Sequence, residues 1–177
     1  IPGVPHEMKP MVTETIIPFI AALENSSQVI INRTLKSWGL PESSLSEILD
    51  DIITECEEGN VKIGFLARGI NGIYIKISAK SDSRVEGKAE IAKVEESIMS
   101  LVGDYVYGFD DETMESIVID LLRKRNASVS IAESFTGGLV SSRLVEISGA
   151  SDVLKGSIVA YQVDVKDKVL GVQVDDV

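Results

Sequence analysis

The sequence predicts an α+β unit followed by the first part of an α/β domain. Residues 27–109 begin with a predicted strand, after which elements follow in the order helix, strand, strand, helix, strand. Residues 110–177 instead read helix, strand, glycine-containing loop, helix, strand, which is typical of the opening of an α/β domain with parallel strands. Aromatic residues make up only 5% of the chain, so the core must be built mainly from Ile, Val and Leu.

The first residues are predicted to form a loop and then a helix. Residues 1–10 contain Pro2, Gly3 and Pro5, which favour an irregular segment. A helix is predicted next, with a break or kink at Pro18, because proline cannot donate the helical hydrogen bond. Its apolar positions recur at helical spacing: Val12, Ile16, Phe19, Ile20 and Leu23.

Alternating strands and apolar helix stripes define the α+β unit. Ser44 and Glu47 resemble a capping box, and the loop 67–72 suggests a hairpin. Trp38 is expected in a core or an interface. The predicted strands are 28–36, 61–66, 72–79 and 104–109, and the predicted helices are 43–56 and 84–102.

The α/β part is predicted to open with a helix whose N-terminus carries the acidic residues 110–112. Helix 138–147 is then expected between two strands, 127–132 and 156–162. The buried face of the first helix is predicted to consist of Met114, Ile117, Val118, Leu121 and Leu122.

Composition excludes several functional classes. The net charge of −11 disfavours nucleic-acid binding, because phosphates would be repelled. Cys56 is the only cysteine, so no disulfide framework is expected, which fits a reducing cytosol. No apolar run is long enough for a membrane span and no signal peptide is recognisable. We therefore expect a cytoplasmic protein without membrane association.

The single histidine, His6, limits the possible chemistry. A Ser-His-Asp triad and a zinc site with several imidazoles are both disfavoured. No metal and no cofactor is expected. If the chain carries out nucleophilic catalysis, a lysine, tyrosine or carboxylate must handle the proton.

The loop from Glu133 to Gly138 is the strongest candidate for chemistry. Ser134 follows a strand at the edge where α/β sheets bind ligands. Thr136, Gly137 and Gly138 open the next helix, whose first N–H groups lack internal partners and could bind a phosphate or an oxyanion. The alternative is that Ser134 or Thr136 merely caps the helix. The residues alone leave both interpretations open.

Tyr161 and Lys166 follow the second strand and are expected at the same edge of the sheet. A desolvated lysine can serve as the base for a serine nucleophile. On residues alone, a solvated lysine beside Asp164 and Asp167 is the favoured interpretation of Lys166. Glu133 could orient Lys166 or the loop, or could simply be exposed.

The motif IAESFTGGLVSSRLVEISGASDVLKGSIVAY, followed by KDKVLGV, resembles the C-terminal domain of the CinA family. The resemblance covers residues 120–177 and implies hydrolysis of nicotinamide mononucleotide to nicotinate mononucleotide and ammonia, in pyridine-nucleotide salvage. It implies that Ser134 is the nucleophile and that Tyr161 and Lys166 assist it. Glu133, Thr136, Gly137 and Gly138 would then contact the substrate or hold the oxyanion.

Two positions differ from the family pattern. Phe135 replaces the cysteine of AESCTGG, and Gln162-Val163-Asp164-Val165-Lys166 replaces SNEAK. These changes motivate an alternative, a binding or assembly module that has lost its chemistry. A third possibility is ADP-ribose pyrophosphatase activity in an N-terminal domain outside this chain.

The remaining segments resemble other parts of the same family. IPGVPHEMKPM resembles the end of a molybdopterin-binding-like domain, assigned to 1–26 with a linker helix. Residues 27–109 resemble a KH-like domain, but they carry no G-x-x-G loop flanked by basic residues, so RNA binding is not expected. Residues 110–177 would be the N-terminal part of the deamidase domain. We expect a homodimer, and little or no turnover from residues 1–177 alone.

Overall fold

The computed structural model describes residues 3–23 and 28–173. The helices are α1 Pro5–Pro10, α2 Ile17–Leu23, α3 Glu42–Ile48, α4 Asp50–Glu57, α5 Arg84–Val102, α6 Met114–Lys124, α7 Leu139–Val145 and α8 Val163–Leu170. The strands are β1 Val29–Ser37, β2 Val61–Ala67, β3 Ile73–Ser81, β4 Val106–Phe109, β5 Val129–Glu133 and β6 Leu154–Val159.

The loop predicted for residues 1–10 is wrong over residues 5–10, which form α1. Pro5 lies in the first helical turn, where a missing N–H group costs nothing. A π-helical turn, Met11–Ile16, joins α1 to α2 and ends with an Ile17 N–H donated to the Val12 carbonyl. The helix predicted here is confirmed, but Phe19 and Ile20 are exposed. The side chain of Leu23 lies outside the described residues.

The predicted α+β unit is confirmed as a four-stranded antiparallel sheet in the order β2-β3-β1-β4. The β2–β3 hairpin forms as expected, with the turn Gly69–Asn71. One face of the sheet packs on α4 and α5, and α3 packs against both of these helices. Leu35, Ile75 and Ile77 point into this core and are fully buried. Trp38, expected in a core or interface, is 58% exposed.

The helix predicted at 43–56 is divided into α3 and α4 at Leu49. The Ser44–Glu47 capping box does not form, because α3 begins earlier, at Glu42, after Pro41. Leu49 nevertheless stays in the core, and its carbonyl accepts the Ile53 N–H.

The α/β part contains two parallel strands, β5 and β6, as predicted. The acidic residues 110–112 precede α6 instead of opening it. Thr113 is the N-cap and forms a capping box with Ser116. The carboxylate of Asp110 instead accepts hydrogen bonds from the Arg33 side chain and the Thr34 N–H, so it fixes the connection between the two parts.

The predicted buried face of α6 is rotated in the structure. Ile119, which was not on the predicted face, is fully buried, whereas Val118 and Leu121 are 38% and 47% exposed. Met114 and Val118 line an open apolar groove of about 340 Å³ between α6, β5 and α7. The second core consists of Ile119, Leu144, Ala150 and Val153.

The two cores share no residue. Between them, the Arg143 side chain of α7 hydrogen-bonds to Glu115 of α6 and, at 3.0 Å, to the Asn71 side chain of the β2–β3 turn. The boundaries at residues 26/27 and 109/110 remain predictions. In the described part of the chain, no helix is both long and apolar enough to cross a bilayer.

Candidate functional site

Ser134 and Tyr161 follow neighbouring parallel strands at the same edge of the sheet. Glu133 is the last residue of β5 and pairs with Val159, the last residue of β6. The Ala160 N–H extends this pairing by donating to the Glu133 carbonyl at 2.8 Å. Ser134 therefore leaves β5 at the level where the chain after β6 reaches Ala160 and Tyr161.

The loop between β5 and α7 depends on its glycines. Gly137 and Gly138 have φ values of +62° and +102°, a backbone region that other residues adopt at a cost. A Cβ atom on Gly138 would also lie 3.4 Å from the Val159 side chain. The Gly137 N–H donates to the Ser134 carbonyl at 3.1 Å and closes the turn behind the serine.

Glu133 is buried, with 4% exposure, and anchors the start of α7. Its carboxylate accepts the Thr136 hydroxyl at 2.6 Å, the Val140 N–H at 3.0 Å and the Ser141 N–H at 2.9 Å. The Ser141 hydroxyl also donates to it. Burial acts to raise the pKa of Glu133, but the hydrogen bonds from Ser141 and Thr136 outweigh it and lower the pKa to about 2.

These contacts decide between the interpretations of Glu133. An exposed Glu133 is excluded, and within the described residues its carboxylate forms no ion pair with Lys166. Its contacts are those of a residue that orients the loop. The Thr136 hydroxyl donates to Glu133, so its side chain could contact a substrate only as an acceptor.

The anion-binding prediction for the helix start changes accordingly. The first N–H groups of α7 already have acceptors: that of Leu139 donates to the Thr136 carbonyl, and those of Val140 and Ser141 donate to Glu133. Among the described residues, the N–H groups of Phe135, Thr136 and Gly138 have no acceptor. Donors for an oxyanion would therefore come from the turn itself and not from the helix.

Tyr161 and Lys166 lie on the neighbouring segment. Tyr161 is 66% exposed, and Lys166 is half-buried in the first turns of α8. In the described part of the chain, no hydrogen bond joins the side chains of Ser134, Tyr161 and Lys166. The ion pair on α8 joins Lys168, not Lys166, to Asp164, at 3.3 Å.

Phe135, Gln162 and Val163, which depart from the family pattern, are exposed at the surface. Phe135 is 94% exposed, so its ring packs against little of the protein. Gln162 precedes α8, and its carbonyl accepts the N–H groups of Val165 and Lys166. Val163 is 41% exposed.

Ser141 is a site residue that the sequence did not single out. Its hydroxyl lies between the Glu133 carboxylate and the Ser157 hydroxyl of β6, which is 2.6 Å away. Ser141 thereby links the loop to the second strand. The available signal was its place in the first turn of the helix, where a hydroxyl can join a capping network.

Arg143 was also missed, and it fixes α7 from the other end. It contacts Glu115 and Asn71, and the Asn71 carbonyl accepts the Tyr107 hydroxyl at 3.0 Å. Burial opposes ionisation of Glu115, but its backbone hydrogen bond and Arg143 lower its pKa below the usual value. These partners are distant in sequence, so no local pattern signals them. In the described residues, no group of His, Cys, Asp and Glu side chains is arranged to hold a metal ion.

Comparison with known proteins places both parts of the chain in one family. The model of the CinA KH domain of damage-inducible proteins matches residues 32–108, and the model of the CinA C-terminal domain matches residues 111–177. A CinA-like protein of Frankia casuarinae is 38% identical over 97% of the chain, and one of Dictyoglomus thermophilum is 38% identical over 97%. A protein of Oceanobacillus iheyensis named as competence-damage inducible is 36% identical over 97%.

The chain covers 40%, 41% and 40% of the length of these relatives, respectively. Two adjacent domain models of the same family match in the order expected along the chain, and together they cover most of it. The chain therefore belongs to the CinA family.

Proposed function

We propose that residues 110–177 contribute the nucleophile loop of an amidohydrolase that converts nicotinamide mononucleotide to nicotinate mononucleotide and ammonia. The observation that carries the proposal is the position of Ser134. It lies on a glycine turn, at the carboxyl edge that β5 and β6 share, beside backbone N–H groups that have no acceptor among the described residues.

In the proposed reaction, the Ser134 Oγ attacks the carboxamide carbon of the substrate, and Lys166 accepts the serine proton. Backbone N–H groups of the turn stabilise the oxyanion. When the C–N bond breaks, Lys166 returns the proton to the leaving nitrogen, which departs as ammonia. Water then hydrolyses the acyl-serine ester, which regenerates Ser134 and releases the carboxylate product.

Tyr161 has a positioning role in this scheme, because it lies between the end of β6 and the helix that carries Lys166. The side chains of Ser134 and Lys166 share no hydrogen bond in the present arrangement. Substrate binding is therefore expected to draw the first turn of α8 toward the loop, as catalytic contacts often tighten in the substrate complex.

The test is Ser134→Ala in the full-length protein, with ammonia release as the readout. Ser142→Ala is the matched control, because Ser142 is exposed on α7. Its backbone N–H donates to the Gly138 carbonyl, and its hydroxyl forms no hydrogen bond among the described residues. Ser134→Ala should abolish turnover, whereas Ser142→Ala should leave it unchanged. Unchanged deamidation in Ser134→Ala would exclude the serine as nucleophile.

A second candidate is a binding module without catalysis. The absence of a Ser134–Lys166 hydrogen bond among the described residues and the exposed Phe135 favour it. Calorimetry separates the two candidates. Binding heat for the mononucleotide without any release of ammonia would support the binding module.

A further inference from the structure

The turn between β2 and β3 is held firmly against the end of β1. The Arg68 N–H donates to the Gly72 carbonyl at 2.8 Å, and the Asn71 N–H donates to the Arg68 carbonyl at 3.2 Å. Gly72 lies so close to β1 that a Cβ atom there would be 2.0 Å from the Ser37 carbonyl oxygen. The Asn71 carbonyl is also occupied, because it accepts the Tyr107 hydroxyl of β4. The backbone of Asn71 therefore has a fixed position relative to the sheet.

The Asn71 side chain connects this turn to the α/β part of the chain. Its Oδ1 atom accepts a hydrogen bond from the Arg143 guanidinium at 3.0 Å. The same guanidinium donates to the carboxylate of Glu115 on α6, whose side chain is 15% exposed. Among the hydrogen bonds of the described residues, the one between Asn71 and Arg143 is the one that joins the KH-like domain to α7.

Helix α7 depends on such contacts for its orientation, because it has only seven residues and isolated helices of this length are marginal. Leu144 packs it into the second core, and the Glu133 carboxylate binds the N–H groups of Val140 and Ser141 at its start. Arg143 lies three residues after Val140, so the two are neighbours on one face of the helix. A shift of Arg143 therefore moves the N–H groups that hold Glu133.

The same movement reaches the candidate nucleophile. Glu133 and Ser134 are consecutive, so the carboxylate that anchors α7 also fixes the backbone from which the Ser134 hydroxyl extends. Attack by a serine depends on its placement, and an error of about 1 Å at the reacting group costs up to about a hundredfold in rate. A contact made in the KH-like domain can thus influence the chemistry of the loop.

We infer that Asn71 and Arg143 are positioning residues, through which the KH-like domain holds the Ser134 loop in its reactive arrangement. The catalytic consequence rests on the proposed function, whereas the connection from Asn71 to the loop can be measured without any substrate. This role differs from simple stabilisation of the α/β part, which the contact between Arg143 and Glu115 already provides within that part.

The test is Asn71→Ala, which removes the acceptor of Arg143 and keeps the backbone carbonyl that binds Tyr107. In the 177-residue chain, amide hydrogen exchange at Val140 and Ser141 should accelerate by about fivefold or more, because the start of α7 opens more often. In the full-length protein, kcat for deamidation of nicotinamide mononucleotide should fall by about fivefold or more, with little change in KM.

Two variants control for the substitution itself. Asn71→Asp keeps an oxygen acceptor for Arg143, so it should retain wild-type exchange and kcat. Asn60→Ala is the matched control, because Asn60 is an exposed asparagine before β2 whose side chain forms no hydrogen bond among the described residues. It should change neither measurement. Circular dichroism verifies that each variant is folded.

Arg143→Met tests the same contact from the side of α7, and Arg125→Met, at an exposed arginine after α6, is its matched control for charge. Because Asn71 acts through Arg143, Asn71→Ala should add nothing to the effect of Arg143→Met. Unchanged exchange in Asn71→Ala, an equal effect in Asn60→Ala, additive effects in the double variant, or faster exchange with wild-type kcat would each overturn the inference. A full-length wild type that releases no ammonia would overturn the proposed function instead, and the exchange rates would still decide whether Asn71 holds the loop.

Discussion

Replacement of Ile119 by alanine tests whether the two cores unfold independently. Ile119 is fully buried and packs in a small cluster with Leu144, Ala150 and Val153, and this cluster shares no residue with the first core. Truncation of a buried isoleucine to alanine costs about 2–5 kcal/mol. In a domain of this size, such a loss lowers the midpoint of thermal unfolding by at least about 8 °C.

Trp38 makes the assay selective. It is the only tryptophan of the chain and follows β1 in the first unit, so its fluorescence reports on that unit alone. Hydrogen exchange in α6 and α7 reports on the second. Ile119→Ala should lower protection of α6 and α7 and leave the Trp38 transition unchanged. Ile98→Ala, which truncates a fully buried isoleucine of the first core, should lower the Trp38 transition.

A Trp38 transition that falls equally in Ile119→Ala and Ile98→Ala would refute this reasoning. The two units would then unfold as one body. The hydrogen bond from Arg143 to Asn71 would be the first contact to test by mutation as the cause of that coupling.

Two further predictions concern the Glu133 carboxylate and the backbone at Gly72. The pKa of Glu133 lies near 2 in the folded chain, below its ordinary value of 4.5, so its support of α7 is complete above pH 4.5 and is lost as the pH falls toward 2. Amide NMR signals at the start of α7 should follow that loss, and a midpoint near 4.5 would contradict it. Gly72→Ala should destabilise the first unit by at least about 2 kcal/mol in urea unfolding, because φ is +80° and a Cβ would lie 2.0 Å from the Ser37 carbonyl oxygen. Gly64→Ala, where a Cβ meets open space, should cost far less, and equal losses would contradict the steric argument.

Local patterns predicted the strands and helices well where one face is buried. The alternation of Ile75 and Ile77 fixed β3, and both residues are indeed in the core. The pattern failed where its interpretation depended on context. Pro5 favours a loop in the local pattern, yet it starts α1. The apolar run of α6 does not show which side faces β5, because Val118 and Ile119 are equally apolar.

The candidate site was predicted in position but not in its internal contacts. A serine after a strand and two glycines before a helix place the loop at the sheet edge. The burial of Glu133 depends on Ser141, eight residues later, and on the way the turn folds back over the carboxylate. Hydrogen bonds formed when a turn folds back on itself produce no periodic pattern of residues, so the sequence does not predict them.

If the loop binds substrate as proposed, the buried carboxylate of Glu133 also limits which part of that substrate can lie there. The chain itself supplies an anion at the positive end of α7, so a second anion placed there would meet repulsion instead of a vacant binding site. For a mononucleotide, the uncharged amide end would face the turn, and the phosphate would bind elsewhere. Inorganic phosphate should accordingly be a poor competitor at this loop, whereas neutral pyridine carboxamides should compete for it.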